Sequence, residues 1–256
     1  MNLGKHGVEL FHRGPFSVTL TPPLLDAPRP KLKAAAQLWL TEQQQPRESD
    51  LQPNRVGVFR PSYSAGMCTL LASPASWAEF QVLRDPKRRA MIPIAERFWI
   101  LAVTCLVVSS DDYFILGFRS RQVSTSANLW SVTAAGYVDA DRLAADGSQD
   151  GPNDLCSSIL SELEEEAGLG LADLTALPET LGLCIHPPRE HVWLEGAFLA
   201  RSILYAEEIL SRARNAKDSW ENKHSALTRE DATQLVETTP MHPPAAVNLG
   251  LALNLL

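Results

Sequence analysis

Hydrophobic and polar positions change rhythm several times along this chain, and each change marks an element. Residues 1–30 alternate weakly (VELFHRGPFSVTL) and then meet a proline-rich break, PPLLDAPRP. KLKAAAQLWLTEQQQ at 31–45 is dense in strong helix formers and predicts a helix. PRESDLQPN reads as a loop, RVGVFRPSY as a strand and SPASWAEFQVLRD as a short helix opened by Ser or Pro. ERFWILAVTCLVVSS and YFILGFRSR are β-rich runs separated by SSDD, a turn signal, and together predict a hairpin. LWSVTAAGYVD predicts a further strand running into Gly136, and the polar stretch 139–153 (DADRLAADGSQDGPN) a loop. A helix follows from about Asp154, with Asn153 or Asp154 as its cap, and stops at Gly168, a natural left-handed terminator. LGLCIHPP and VWLEGAFLARSIL read as strands, LTREDATQLVE as a helix and PPAAVNLGLALNLL as a closing apolar helix. Strands mixed with a few helices, without a regular βαβ rhythm, predict an α+β fold. The texture changes near residue 92, which divides an N-terminal α/β subdomain (1–92) from the main domain (93–256).

Composition narrows the function classes. The 256 residues are 45% hydrophobic and 21% charged, the profile of a globular protein with a sizeable core. Net charge is −7 and no Lys/Arg run exceeds KRR at 87–89, so the basic footprint of a nucleic-acid binder is missing. The most apolar run, WILAVTCLVV at 99–108, is too short to cross a bilayer and suits a buried strand. MNLGKHGVELFHRGPF has no apolar signal-peptide core, and Cys68, Cys105, Cys156 and Cys184 are widely spaced without a CxxC pair. Reduced thiols and a cytoplasmic location are expected, with no membrane partner.

Candidate chemistry concentrates in SELEEEAGL at 161–169. A helix turns about 100° per residue, so with Glu162 at zero, Glu165 falls near about −60° and Glu166 near about +40°. The three share one face, Glu164 points away, and Cys156, Ile159, Leu163 and Ala167 gather on an adjoining buried side. Like charges three and four residues apart repel by a few tenths of a kcal/mol per pair. A hard divalent cation such as Mg²⁺ reverses that sign, since it seeks a few carboxylates. A solvated acidic face is the plainer reading of such a helix taken alone.

The surrounding order raises the metal reading: strand, glycine, polar loop, helix, then Glu-apolar-x-Glu-Glu-x-Gly-apolar. That order resembles the Nudix box of the nucleoside-diphosphate-linked-moiety hydrolases, here Ser161-Glu162-Leu163-Glu164-Glu165-Glu166-Ala167-Gly168-Leu169. The resemblance implies an α/β/α sandwich with a mixed β-sheet and a hydrolase dependent on Mg²⁺ or Mn²⁺. Glu165 and Glu166 would be the main metal ligands, aided by the backbone carbonyl of Gly136 or Ala135, and Glu162 a ligand or the base that deprotonates the attacking water. The pattern departs from the family in its first half. Gly136 best matches the box glycine by its place at a strand end, whereas counting back from the helix reaches Gly147 with Asn153 at a glutamate position. Ser161 stands where the family has an arginine. With the N-terminal elaboration, FRSRQVS and the long box loop, these departures resemble the branch that cleaves UDP-glucose and UDP-galactose. ADP-ribose or a prenyl diphosphate are alternative substrates. The rival class is a degenerate domain that binds a nucleotide or protein partner without turnover.

Further candidates lie outside the box. Arg119 and Arg121, alternating along GFRSRQ, are placed to hold a diphosphate, for which guanidinium is well shaped. In DSWENK at 218–223, Glu221 is the candidate remote glutamate that, by the resemblance, completes the metal site. Trp130 and Trp193 can stack a base or sugar or simply pack the core, and HPPREH at 186–191 is a strand-linking loop or a substrate flank. A small diphosphate is the expected partner.

Overall fold

The computed structural model describes residues 9–14, 16–20, 29–43, 45, 47–64, 67–123, 126–141, 155–185 and 193–255. Its hub is β5 (Trp99–Val108), preceded by β1 (Glu9–Arg13), β2 (Phe16–Leu20), β3 (Arg55–Ser64) and β4 (Met67–Ala75). After it come β6 (Phe114–Arg119), β7 (Trp130–Ser131), β8 (Ala134–Tyr137), β9 (Glu179–Ile185), β10 (Trp193–Arg201) and β11 (Asn222–Leu227). All join one sheet whose main path runs β1-β9-β10-β5-β3-β4-β2. β10 lies parallel to β5 from Trp193↔Ile100 to Arg201↔Val108, and β2 lies parallel to β4. The other pairings are antiparallel among the described residues, so the sheet is mixed.

Both faces of β5 are covered, which is why it reads as an apolar run, interrupted only by Thr104, rather than an alternation. Leu101, Val103 and Cys105 face Ile159, Leu163 and Ala167 of α4 (Cys156–Ala167), with Ile209 of α5 (Ala206–Ala213) in the same cluster. Leu106 and Val108 face the opposite layer, Val247, Leu249 and Leu251 of α7 (Pro243–Leu255) and Val236 of α6 (Arg229–Thr238). The buried Asn248 of α7 donates to the Thr104 carbonyl at 3.1 Å, pinning that helix to the hub. A third cluster joins α1 (Pro30–Thr41) and α2 (Trp77–Arg84) to Phe98 and Ile100. The α+β class and the helix-sheet-helix layering expected from the sequence are those observed.

Local departures have identifiable causes. The hairpin forms, but its ladder is only Val107↔Ile115 and Val108↔Phe114. The Thr133 hydroxyl accepts from the Val107 N–H at 2.8 Å and donates to the Ile115 carbonyl, opening the ladder there. β8 then takes over β5 at residues 102–105, and the single strand expected over LWSVTAAGYVD is split into β7 and β8. Helix α4 begins at Cys156 behind Leu155, which is left-handed (φ 65°) with no side-chain cap. That corrects the expected Asn153 or Asp154 cap: Leu155 is fully buried, and its apolar contacts offset a conformation that costs an L-residue about 1–2 kcal/mol. Residues 153–154, like most of the 139–153 loop, lie outside the described residues. Gly168 does terminate α4 in the left-handed region (φ 66°). Four elements were not expected: β4, α3 (Pro86–Met91), α5 and β11.

Candidate metal and substrate site

One cavity of about 470 Å³ collects the chemistry: Glu162, Glu165 and Glu166 from α4, Asp218 and Glu221 from the loop before β11, and Arg119 from the end of β6. Three backbone links hold these pieces in register. The Asp218 N–H donates to the Glu165 carbonyl (2.8 Å), the Ser120 N–H to the Glu221 carbonyl (2.7 Å), and Asn222 pairs with Arg119 across the β6–β11 ladder. Glu164 is exposed and Glu166 buried, as the helical wheel requires.

Gly136 explains why the cavity can exist. A Cβ on Gly136 would lie 2.1 Å from the Glu162 carboxyl carbon, so that carboxylate occupies the space a side chain would fill. Only glycine admits it. Gly136→Ala should therefore displace the end of the Glu162 side chain, a flexible group, while leaving the sheet in place. We expect a melting temperature within a few degrees of wild type and a loss of turnover approaching that of Glu162 removal; full activity would contradict this arrangement.

Each carboxylate sits in a different environment. Glu166 accepts from the Ala135 N–H at 3.1 Å and from the Asn222 side-chain amide. Burial pushes its carboxyl up to about 8; the Ala135 N–H opposes the rise, and negative Glu162 and Glu221 add to it. Glu221 is also raised, chiefly by burial, with Arg119 opposing. Glu165 accepts from the Ser161 hydroxyl at 3.2 Å and from Lys217 at 3.0 Å. Ser161 thus offers its hydroxyl to Glu165, and the loop supplies a lysine to the same carboxylate. At the rim, Arg55 from β3 pairs with Asp139 and stacks 5.9 Å over the Tyr137 ring.

The donor set suits a hard divalent cation in kind: several carboxylate oxygens, one of them buried beside like charges, around a glycine cradle. As placed, no three His, Cys, Asp or Glu side chains among the described residues converge into a metal-holding group. Glu165 would have to leave Lys217 to join one. Glu165 and Glu166 with the Gly136 or Ala135 carbonyl would be the main holders of the ion, Glu162 would be a further ligand or the base, and Glu221 borders the same space.

Of the other nominated residues, Arg121 lies past the end of β6 and borders a neighbouring cavity instead. Trp130 packs edge-on to Phe118, and Trp193 packs against Phe80 with its ring N–H donating to the Tyr137 hydroxyl (3.2 Å). HPPREH lies outside the described residues. Sequence reasoning missed Arg55, Tyr137, Asp139, Lys217, Asp218 and Asn222. The last two stand inside DSWENK, which had already drawn notice; Arg55 and Asp139 are 84 positions apart and carry no local signal.

No family model matches the sequence, and no curated protein matches it. Among solved structures, the chain is similar to DR0079 from Deinococcus radiodurans at 15% identity and a TM-score of 0.40, over 59% of this chain and 83% of that one. It is similar to Tm1382, a candidate Nudix hydrolase, at 16% identity and a TM-score of 0.44, over 69% and 76%. The MutT protein from Methanosarcina mazei Go1 is similar at 20% identity and a TM-score of 0.37, over 60% and 95%.

Proposed function

We propose that this protein is a Nudix-type hydrolase that cleaves a diphosphate linkage with the aid of Mg²⁺ or Mn²⁺, acting on a nucleotide sugar such as UDP-glucose. The observation that carries the reading is the Glu162 carboxylate seated against Gly136 while Glu166, one turn on, is fastened to the Ala135 N–H. That the acidic helix and Gly136 lie against each other supports the reading.

The residues divide the work. A divalent cation bound there would neutralise charge building on the phosphoryl oxygens and make water a better nucleophile. Glu162 takes the proton from the attacking water, whose oxygen bonds to one phosphorus as the bridging P–O bond breaks. Arg119, buried beside the carboxylates, binds non-bridging oxygens of the diphosphate. Glu165 and Glu166 would hold the cation, with the Asn222 side-chain amide orienting Glu166.

A second reading, binding without turnover, draws support from Glu165 being engaged by Ser161 and Lys217. A product assay with UDP-glucose, UDP-galactose, ADP-ribose and a prenyl diphosphate, with and without Mg²⁺ or Mn²⁺, separates the two. The hydrolase reading expects metal-dependent release of two phosphate-bearing products from at least one of them, UDP-glucose first. Binding with no turnover on the whole panel would establish the second reading.

A further inference from the structure

Arg119 and Trp220 border a second cavity besides the carboxylate one. It measures about 570 Å³ and lies among the end of β6, the turn after it, the start of β11 and the last turn of α5. Its electrostatic character is inverted. Among the described residues, Arg121, Arg214 and Lys223 border it and no Asp or Glu does, whereas six acidic residues line the first cavity. That is unusual in a chain with 30 acids against 23 bases. Arg121 donates to the Asn128 side-chain oxygen at 3.3 Å. The side chains of Arg214 and Lys223 are exposed and have no carboxylate partner among the described residues.

The same cavity presents rings. Trp220 is 50% exposed and Phe118 37%, two of the four large aromatic side chains left exposed among the described residues. The Trp220 ring N–H donates to Asp218 at 3.3 Å, which fixes the ring at the border between the cavities. Arg121, Arg214 and Lys223 bordering one cavity, beside an exposed indole, suit a phosphate dianion attached to a planar ring.

We propose that this second cavity is a binding site for a nucleoside monophosphate, with the phosphate on Arg121, Arg214 and Lys223 and the base on Trp220. Binding there needs no divalent cation and no turnover, so it stands or falls separately from the hydrolase reading.

The test is calorimetric titration of the metal-free protein, in EDTA, with UMP, and with uridine and inorganic phosphate as comparisons. UMP is expected to bind saturably, and to weaken several-fold as NaCl rises from about 50 to about 500 mM, because exposed ion pairs are screened. Arg214→Ala with Lys223→Ala should weaken UMP at least about tenfold, the scale of losing hydrogen bonds to a charged group. Both side chains are exposed, so the melting temperature should be unchanged. Trp220→Ala should weaken UMP while leaving inorganic phosphate alone. Lys31→Ala with Lys33→Ala, which removes the same charge from the exposed face of α1, should change nothing. The proposal is overturned by absence of UMP binding at millimolar concentration, by uridine binding as tightly as UMP, or by equal losses in the two double variants.

Discussion

Glu162→Gln is expected to lower the turnover number by about 10²–10⁴, the usual scale for removing a general base, while most metal binding is kept. Glu162 abuts Gly136 at the cavity wall, one turn closer to the start of α4 than Glu166. Glu166→Gln should instead weaken metal binding, and excess Mg²⁺ or Mn²⁺ should rescue part of its deficit. The measurement is activity titrated with metal for each variant beside wild type. Rescue of Glu162→Gln but not Glu166→Gln would reverse the assignment. Full activity in both would remove the acidic face from the chemistry altogether.

In EDTA, Glu166→Gln is expected to melt higher than wild type at alkaline pH and close to it near pH 5. The sign follows from linkage. Burial raises the folded-state value to about 8, above the unfolded carboxyl value of about 4.3, so the folded state holds a proton the unfolded state has released. The contribution of Glu166 to wild-type stability is therefore fully present below about pH 4.3 and is lost as pH rises through about 8. At about 1.4 kcal/mol per pH unit, a few kcal/mol at most are involved. Glutamine stays neutral throughout and can turn an amide N–H toward the Asn222 side-chain oxygen, which is buried without a hydrogen-bond partner. Thermal scans from pH 5 to 9 check this. A gap between the two proteins that does not change with pH would show that the carboxyl is not held up by its surroundings. In saturating Mg²⁺ the order should reverse, because a ligand of the folded state raises the melting temperature of the protein that binds it.

The acidic face of α4 was legible because helical periodicity depends only on neighbours three and four residues apart, which the sequence displays directly. The same holds for the Ser or Pro start expected of α2, which the structure resolves to Ser76 in a capping box with Glu79, and for the apolar run of β5. What escaped reading is whatever one strand does to another. Thr133 looks like an ordinary strand residue, yet its hydroxyl sits between β5 and β6 and decides where the ladder ends. β11 is polar and half-buried (NKHSAL), so no alternation announces it, and with it went the prospect of finding Asn222 under Glu166. Arg55 reaches the rim of the cavity only because β3 joins β5 at Gly57 and Val58, a pairing that nothing local in RVGVFRPSY specifies.

The closure of β5 on both faces has a consequence for how the protein is made. Its ten residues, all but Thr104 apolar, leave the ribosome well before α4, β10 and the helix 243–255, which supply much of its cover and its parallel neighbour. The face carrying Leu106 and Val108 waits longest, until residues 243–255 have been synthesised. During that interval the nascent chain displays an unshielded strand with free backbone donors and acceptors, the species from which intermolecular pairing starts. The finished molecule hides this strand, so added chaperone or slower translation is expected to raise the soluble yield.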